Sequence, residues 1–294
     1  MPLNAGAAKR TKASKPGVLV AWARRLGPVA GAALVVIVLL ALMAVFAQLI
    51  APYPPNLVDL GAANQGPSPQ HLLGTDSTGR DLLTRLIYGA RISLLGPLGV
   101  VALAIFLGVS TALVSVWWGG RVDAFISRVT DILFSFPALL LAIVAVAIFG
   151  KGLVAPGIAL AIAFTPYVAR LTRAPALRLR QMPFIAALEV QGFSALSISL
   201  RHMVPNLAPF IAGQATILFG TAMIDLAALS FLGLGVQPPT AEWGAMVSAG
   251  QTSIIAGYPY ESISAGLMIV IAVVSFNLLG QRLSETARFS GGAS

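Results

Sequence analysis

The stretch ISLLGPLGVVALAIFLGVSTALVSVWWGG, residues 92–120, carries no charged side chain from end to end. Each Arg, Lys or Asp at mid-membrane costs about 2.5–3.5 kcal/mol on insertion scales, so a window this clean points to a bilayer rather than to water. Five further windows share the pattern, at 26–58, 132–150, 152–169, 202–224 and 262–281. A helix of about 20 residues, rising about 1.5 Å per residue, crosses the hydrocarbon core. The windows therefore predict an all-α, polytopic membrane protein with six transmembrane helices near 29–51, 93–117, 132–150, 153–170, 207–233 and 263–281. The whole chain of 294 residues agrees: 57% is hydrophobic, 10% is charged and the mean hydropathy is +0.87. A soluble domain carries about a quarter charged residues, enough to cover a wet surface.

Orientation follows from where Lys and Arg fall. With the N-terminus inside, the inner segments hold fifteen of the 19 basic residues, and the outer ones hold Arg80, Arg85, Arg91 and Lys151. This bias predicts both termini in the cytoplasm. The net charge of +9 is then a topology signal that requires no nucleic-acid partner. The apolar run Val29–Ala51 exceeds the ~7–15 residues of a signal-peptide core and is read as a retained anchor. The layout becomes a basic cytoplasmic N-terminus (1–28, with 1–17 expected to be disordered), the first transmembrane helix (29–51) and an external loop (52–91). A membrane core (92–283) follows, with an internal loop at 171–206 and an external loop at 234–262, and then a cytoplasmic tail (284–294).

Three loops hold the informative residues. In the first, Thr75, Asp76, Ser77 and Thr78 between Gly74 and Gly79 suit a side-chain-capped turn, and Asp81 can begin a helix. Leu82, Leu83, Leu86 and Ile87 would form its apolar face, with Arg85 opposite, giving a helix lying on the membrane surface. In the internal loop, Pro175 and Pro183 suit helix starts, Gly192 a helix C′ position and Ser194 an N-cap, predicting two short helices broken at Gly192 with another boundary at Pro205. Phe184, Ile185, Leu188 and Phe193 either dock in another protein's groove or pack on the chain's own helix ends. In the last loop Trp243, Tyr258 and Tyr260 read as interfacial anchors. Asp225 is the one acid well inside an expected span, either facing a pore and a substrate amine or serving as a structural group. Pro97, Pro137, Pro156, Pro166 and Pro209, with Gly108, Gly213 and Gly220, would kink spans or let them approach closely.

These loops together resemble the permease subunits of ABC importers for dipeptides, oligopeptides and nickel, in particular the C-type member of paired permeases. The resemblance rests on HLLGTDSTGRDLLTRLIYGARISL from His71, LSFLGLGVQPPTAEWGAMVSAG at 229–250 and FNLLGQRL at 276–283, and extends from about residue 30 to 283. It implies the type I ABC importer permease fold. It also implies that the internal loop is the family's EAA loop, whose coupling helix enters an ATP-hydrolysing subunit. Ala187 matches an alanine of that motif, Gly192 its glycine, Ser194 the small polar residue after it, and Arg201, His202, Pro205 and Asn206 its RH…PN ending. Ala186 stands where the family usually has Glu and Leu188 where it has Ala, so docking would lean on packing. The family's acid near Asp225 falls one position later. Asp76, Arg80, Asp81 and Trp243 become candidates for an external gate or a binding-protein contact.

The resemblance implies a heterodimer with a second permease, two ATP-binding subunits, an external substrate-binding protein, and a dipeptide or oligopeptide substrate, with nickel or another small solute as the alternative. The chain has no G-x-x-x-x-G-K-[ST] loop, so ATP and Mg belong to the partners and no cofactor is expected on this chain. The absence of cysteine, with only His71 and His202, removes disulfides, thiol catalysis and a His/Cys metal cluster. An intramembrane enzyme would need more than one isolated carboxylate. A self-sufficient secondary transporter would usually show inverted repeats or intramembrane charges.

Overall fold

The computed structural model describes residues 18–290, with side chains from 27 to 285; the expectation of disorder at 1–17 lies outside the described residues. The helices are α1 (Val18–Val45), α2 (Ala47–Ile50), α3 (Leu82–Trp118), α4 (Gly120–Phe134), α5 (Ala138–Phe149), α6 (Val154–Arg180), α7 (Pro183–Val190), α8 (Ala195–Ile198), α9 (Val204–Phe231), α10 (Trp243–Ala249), α11 (Gln251–Ile255) and α12 (Tyr260–Ser290). A 3-10 turn covers Leu60–Ala62 and a π-helical turn covers Ser199–Met203, directly ahead of α9. Among the described residues there is no strand, only an isolated bridge between Thr75 and Asp81.

Among the described residues, five helical segments are long and apolar enough to cross a membrane: Gly27–Val45, Leu82–Trp118, Val154–Arg180, Ala195–Phe231 and Tyr260–Glu285. The sixth expected span, 132–150, is not one helix. α4 and α5 meet at 80° around Pro137, and α5 alone has 12 residues, or about 18 Å of rise. The cause is local: the ring of Pro137 disfavours a helical Phe136 and removes a backbone donor, so α5 starts anew after it. α4 buries none of its residues within this chain.

The interfacial helix expected at Asp81 is also corrected. It is the start of α3, continuous for 37 residues or about 55 Å. Pro175, expected at a helix start, lies inside α6, whereas Pro137 alone among the named prolines breaks a span. α12 continues past 284, so the tail is helical as far as Ser290.

The bundle is built on two helix pairs, α3 against α6 and α9 against α12, with α3 also on α9 and α1 on α12. In lipid such contacts gain little from hydrophobic transfer, and small residues that let backbones approach take over. A Cβ on Gly108 would sit 2.5 Å from Val168 Cβ; one on Gly213 would sit 2.4 Å from Ser284 Oγ, and one on Gly220 3.0 Å from Asn277 Nδ2. Ala104, Ala112, Ala161 and Ala272, all at or near zero exposure, continue these seams.

Candidate functional site

Two polar assemblies sit at opposite ends of α3. The first is the α6–α9 hairpin. Pro183 opens α7 at its first turn, where a missing N–H costs nothing. Past α7, Gly192 adopts φ +83°; its N–H donates to the Glu189 carbonyl at 3.0 Å, and the Phe193 N–H donates to the Leu188 carbonyl at 3.1 Å. This is a Schellman ending, which requires a left-handed residue at Gly192. Ser194 then caps α8, accepting from the Ser197 N–H at 3.3 Å.

The apolar side chains of the hairpin divide between the two expected roles. Ile185 is fully buried and joins Ile198 and Met203 in the core, and Leu188 packs partly against it. Phe184 and Phe193 are exposed, as are Ala186 and Ala187. The surface is larger than the motif residues alone: Val190 is 89% exposed, with Leu196 and Leu200 also outward. Leu196 and Leu200 stand four positions apart, the step between neighbours on one helix face, a signal available in the sequence. Arg201 and Pro205 are exposed, His202 is half-buried, and Asn206 Nδ2 donates to the His202 carbonyl at 2.6 Å.

The hairpin is clamped to the end of α3. Arg180 Nη1 donates to the Val116 and Trp117 carbonyls at 3.1 and 3.3 Å, its guanidinium lies 4.2 Å from the Trp117 ring centroid, and Nη2 reaches Glu189 at 3.4 Å. Trp117 Nε1 donates to Ser199 Oγ. A helix end leaves carbonyls without partners, and Arg180 supplies them. Beside this clamp Arg173 holds Asp123 through two bonds, 2.9 and 2.6 Å, and Arg170 holds Asp131 at 2.7 Å, tying α4 to α6.

At the other end of α3 lies a buried plate of charges. Asp76, 1% exposed, accepts from the Thr78 N–H and hydroxyl at 2.8 and 2.7 Å and from the Arg80 N–H at 3.0 Å. It also pairs with Arg80 Nε at 2.6 Å and Arg85 Nε at 3.5 Å. Burial pushes its carboxyl up, but the Thr78 and Arg80 donors outweigh this and hold it below the ordinary 3.8. Asp81 caps α3 through the Thr84 N–H at 2.8 Å and meets His71 Nδ1 at 3.0 Å. Gly79 lies against residue 59: with φ +78°, its Cβ would fall 1.7 Å from the Asp59 carbonyl oxygen.

Three sequence expectations change at this plate. Arg85 is not on a wet face; it is 4% exposed, and its Nη1 donates to the Pro239 carbonyl at 3.3 Å. Trp243 is no interfacial anchor, being fully buried with Nε1 donating to the Leu86 carbonyl at 2.9 Å. With Asp76, Asp81 and Trp243 buried inside the chain, none can be a direct contact for an external protein; Arg80 alone of the four is partly exposed. Glu242, which caps α10 through the Gly244 and Ala245 N–H groups at 2.9 and 2.8 Å, is buried, as is Glu261. Sequence reading passed over both, since a lone acid near a loop carries no sign of burial.

Removing one partner of a buried pair costs about 3–5 kcal/mol. Asp76→Asn, which leaves Arg85 without its close counter-ion, is expected to lower the melting temperature of the purified permease by several degrees. A depressed carboxyl contributes its stability above its unfolded pKa, so the gap between wild type and variant should stay constant at neutral pH and narrow only as pH falls below about 3.8. Thermal unfolding from pH 7 to pH 3 checks both.

Asp225 belongs to neither assembly; it is half-buried on α9. Among the described residues no group of three or more His, Cys, Asp or Glu could hold a metal ion.

The sequence pattern of the family described as binding-protein-dependent transport system inner membrane component matches residues 104–286, and that of the N-terminal TM domain of oligopeptide transport permease C matches 27–67. The glutathione transport system permease protein GsiD of Escherichia coli O157:H7 is 40% identical over 250 residues, covering 85% of this chain and 82% of GsiD. GsiD of Shigella sonnei (strain Ss046) gives the same values. Two crystal forms of the MetNI methionine ABC transporter, in inward-facing conformations, share the fold at TM-scores of 0.55 and 0.51, with 19% and 20% identity, over 70% of this chain and 97% of theirs.

Proposed function

We propose that this chain, which belongs to the family of binding-protein-dependent transport system inner membrane components, forms half of a peptide path and receives its driving force through the α6–α9 hairpin. It is a multi-pass permease of a peptide-type ABC importer, and ATP hydrolysis resides in separate subunits. The finer proposal is a heterodimer with a second permease, served by an external binding protein, with both chain termini cytoplasmic. The oligopeptide permease match and the glutathione named for GsiD favour a short peptide as cargo.

The observation that carries the coupling role is the composition of the hairpin. Ile185 is buried and fixes α7 to the bundle, while Phe184, Val190, Phe193, Leu196 and Leu200 project apolar surface away from it. A rigid elbow with an apolar outer face fits a groove on another protein. ATP-driven closure of the partners would move the hairpin and, through Arg180 and Trp117, also the end of α3. Two packed states of the bundle would then alternate.

Purification from its native membrane tests this. The ATP-binding subunits should co-purify with the wild-type chain and be lost from Leu196→Asp, whose side chain faces outward and leaves the bundle untouched. Transport by the chain reconstituted alone, or labelling of residues 184–201 from the outside, would overturn the reading.

A further inference from the structure

α9 carries a stripe that neither the hairpin nor the plate uses. Gln214, Leu218, Thr221 and Asp225 follow one another at four- and three-residue steps, so they share one face over about 16 Å. Beside the middle of this stripe is a cleft of about 350 Å³, walled by Phe134, Phe136, Phe164, Tyr167, Leu218 and Thr221. It exists because α4 and α5 turn at Pro137 and leave Phe134 and Phe136 facing α6 and α9 across a gap. Its size is that of a small-molecule pocket.

The two ends of the stripe are polar. At one end the Tyr167 hydroxyl donates to Gln214 Oε1 at 3.4 Å. At the other, one helical turn beyond Thr221, stands Asp225, which has no hydrogen-bond or ion-pair partner among the described residues and keeps part of its surface open. A carboxylate within a membrane-spanning helix does not face lipid; it faces a wet path or a charge supplied from outside its own chain.

We infer that Asp225 and the aromatic cleft form a substrate subsite that takes an ammonium group on the carboxylate and an apolar or aromatic side chain between Phe134, Phe136 and Phe164. This rests on the permease reading and names the chemistry its path would recognise. Charge complementarity selects the occupant: the cleft alone would accept any apolar group, but the unpaired acid one turn away selects a cationic one. The spacing suits an amino-terminal residue, whose ammonium and side chain branch from one carbon.

The test uses the complete importer in lipid nanodiscs, without the external binding protein, and two probes: phenylalaninamide, with ammonium and ring, and N-acetylphenylalaninamide, with the ring alone. Binding is read by saturation-transfer NMR. Wild type should prefer the cationic probe about tenfold, Asp225→Glu should keep that preference, Asp225→Asn should lose it, and Thr221→Trp, which fills the cleft, should lose both probes. Equal binding of the two probes to wild type, binding of neither, or a preference that survives Asp225→Asn would each overturn the subsite. So would loss of the second permease from the Asp225→Asn complex, because Asp225 would then be an interchain ion pair. Failure of the ATP-binding subunits to co-purify with wild type would instead count against the coupling proposal, and is seen before any probe is added.

Discussion

Gly192→Asp is expected to leave the permease folded and inserted while reducing uptake at least a hundredfold. The position permits this separation. Gly192 holds φ +83°, and a Cβ there meets nothing within 4 Å, so a side chain costs the chain only backbone strain. That strain is about 1–2 kcal/mol for an ordinary L-residue and less for Asp, which tolerates the left-handed region comparatively well. The Schellman bonds to Glu189 and Leu188 run through backbone groups that Asp also possesses. What changes is the outer surface: a charge appears among Phe193, Val190 and Leu196, where the proposed ATP-binding partner would have to desolvate it. Gly192→Ala serves as the companion, bringing the strain without the charge, and should transport at an intermediate rate. Uptake should be measured beside the yield of inserted protein. Wild-type uptake by Gly192→Asp would remove the coupling role from the hairpin.

The residues of that hairpin were legible because their signals are local. Pro183 at a helix start, Gly192 at C′ and Ser194 as N-cap act on their own backbone within a few positions, and the structure places each in that role. The division between Ile185 inside and Phe184 outside is not local; it depends on which side of α7 meets Ile198 and Met203. The same limit explains the misread charges. Arg85 looked like the wet side of a surface helix because a sequence shows the charge and not its partners. Asp76 and the Pro239 carbonyl lie nine and 154 positions away and make its burial tolerable. Trp243 looked like an interface aromatic, but Leu86 and Ser93 of α3 take its indole and backbone N–H groups inside. Five of the six expected spans were legible from charge-free windows, since insertion cost depends on composition. Direction was not: the window at 132–150 is free of charge throughout, and Pro137 turns it by 80°.

Gly108→Leu should cost more than any substitution at an exposed site, enough to prevent recovery of monodisperse protein. The reason lies in what its side chain would strike. α3 and α6 make the broadest contact in the bundle, and at Gly108 their separation leaves no room for a single carbon. A Cβ would come within 2.5 Å of Val168 Cβ, 2.6 Å of its Cγ1 and 3.0 Å of the Thr165 carbonyl oxygen. None of these is the free end of a flexible side chain, so the helices themselves must part. Overpacking in a core costs about 1–3 kcal/mol when neighbours can adjust. Here the adjustment would open a seam that includes Ala104, Ala112 and Ala161, and the cost should exceed about 4 kcal/mol. Gly99→Leu on the same helix is the control. Its Cβ meets nothing within 4 Å and its position is exposed, so it should change stability by no more than about 0.5 kcal/mol. Both variants carry the same added side chain and the same gain in helix propensity, so any difference between them isolates the α3–α6 contact. Size-exclusion chromatography and thermal unfolding of the two proteins read that difference. Equal recovery and equal melting temperatures would mean that α3 and α6 are not packed at the distance their backbones show.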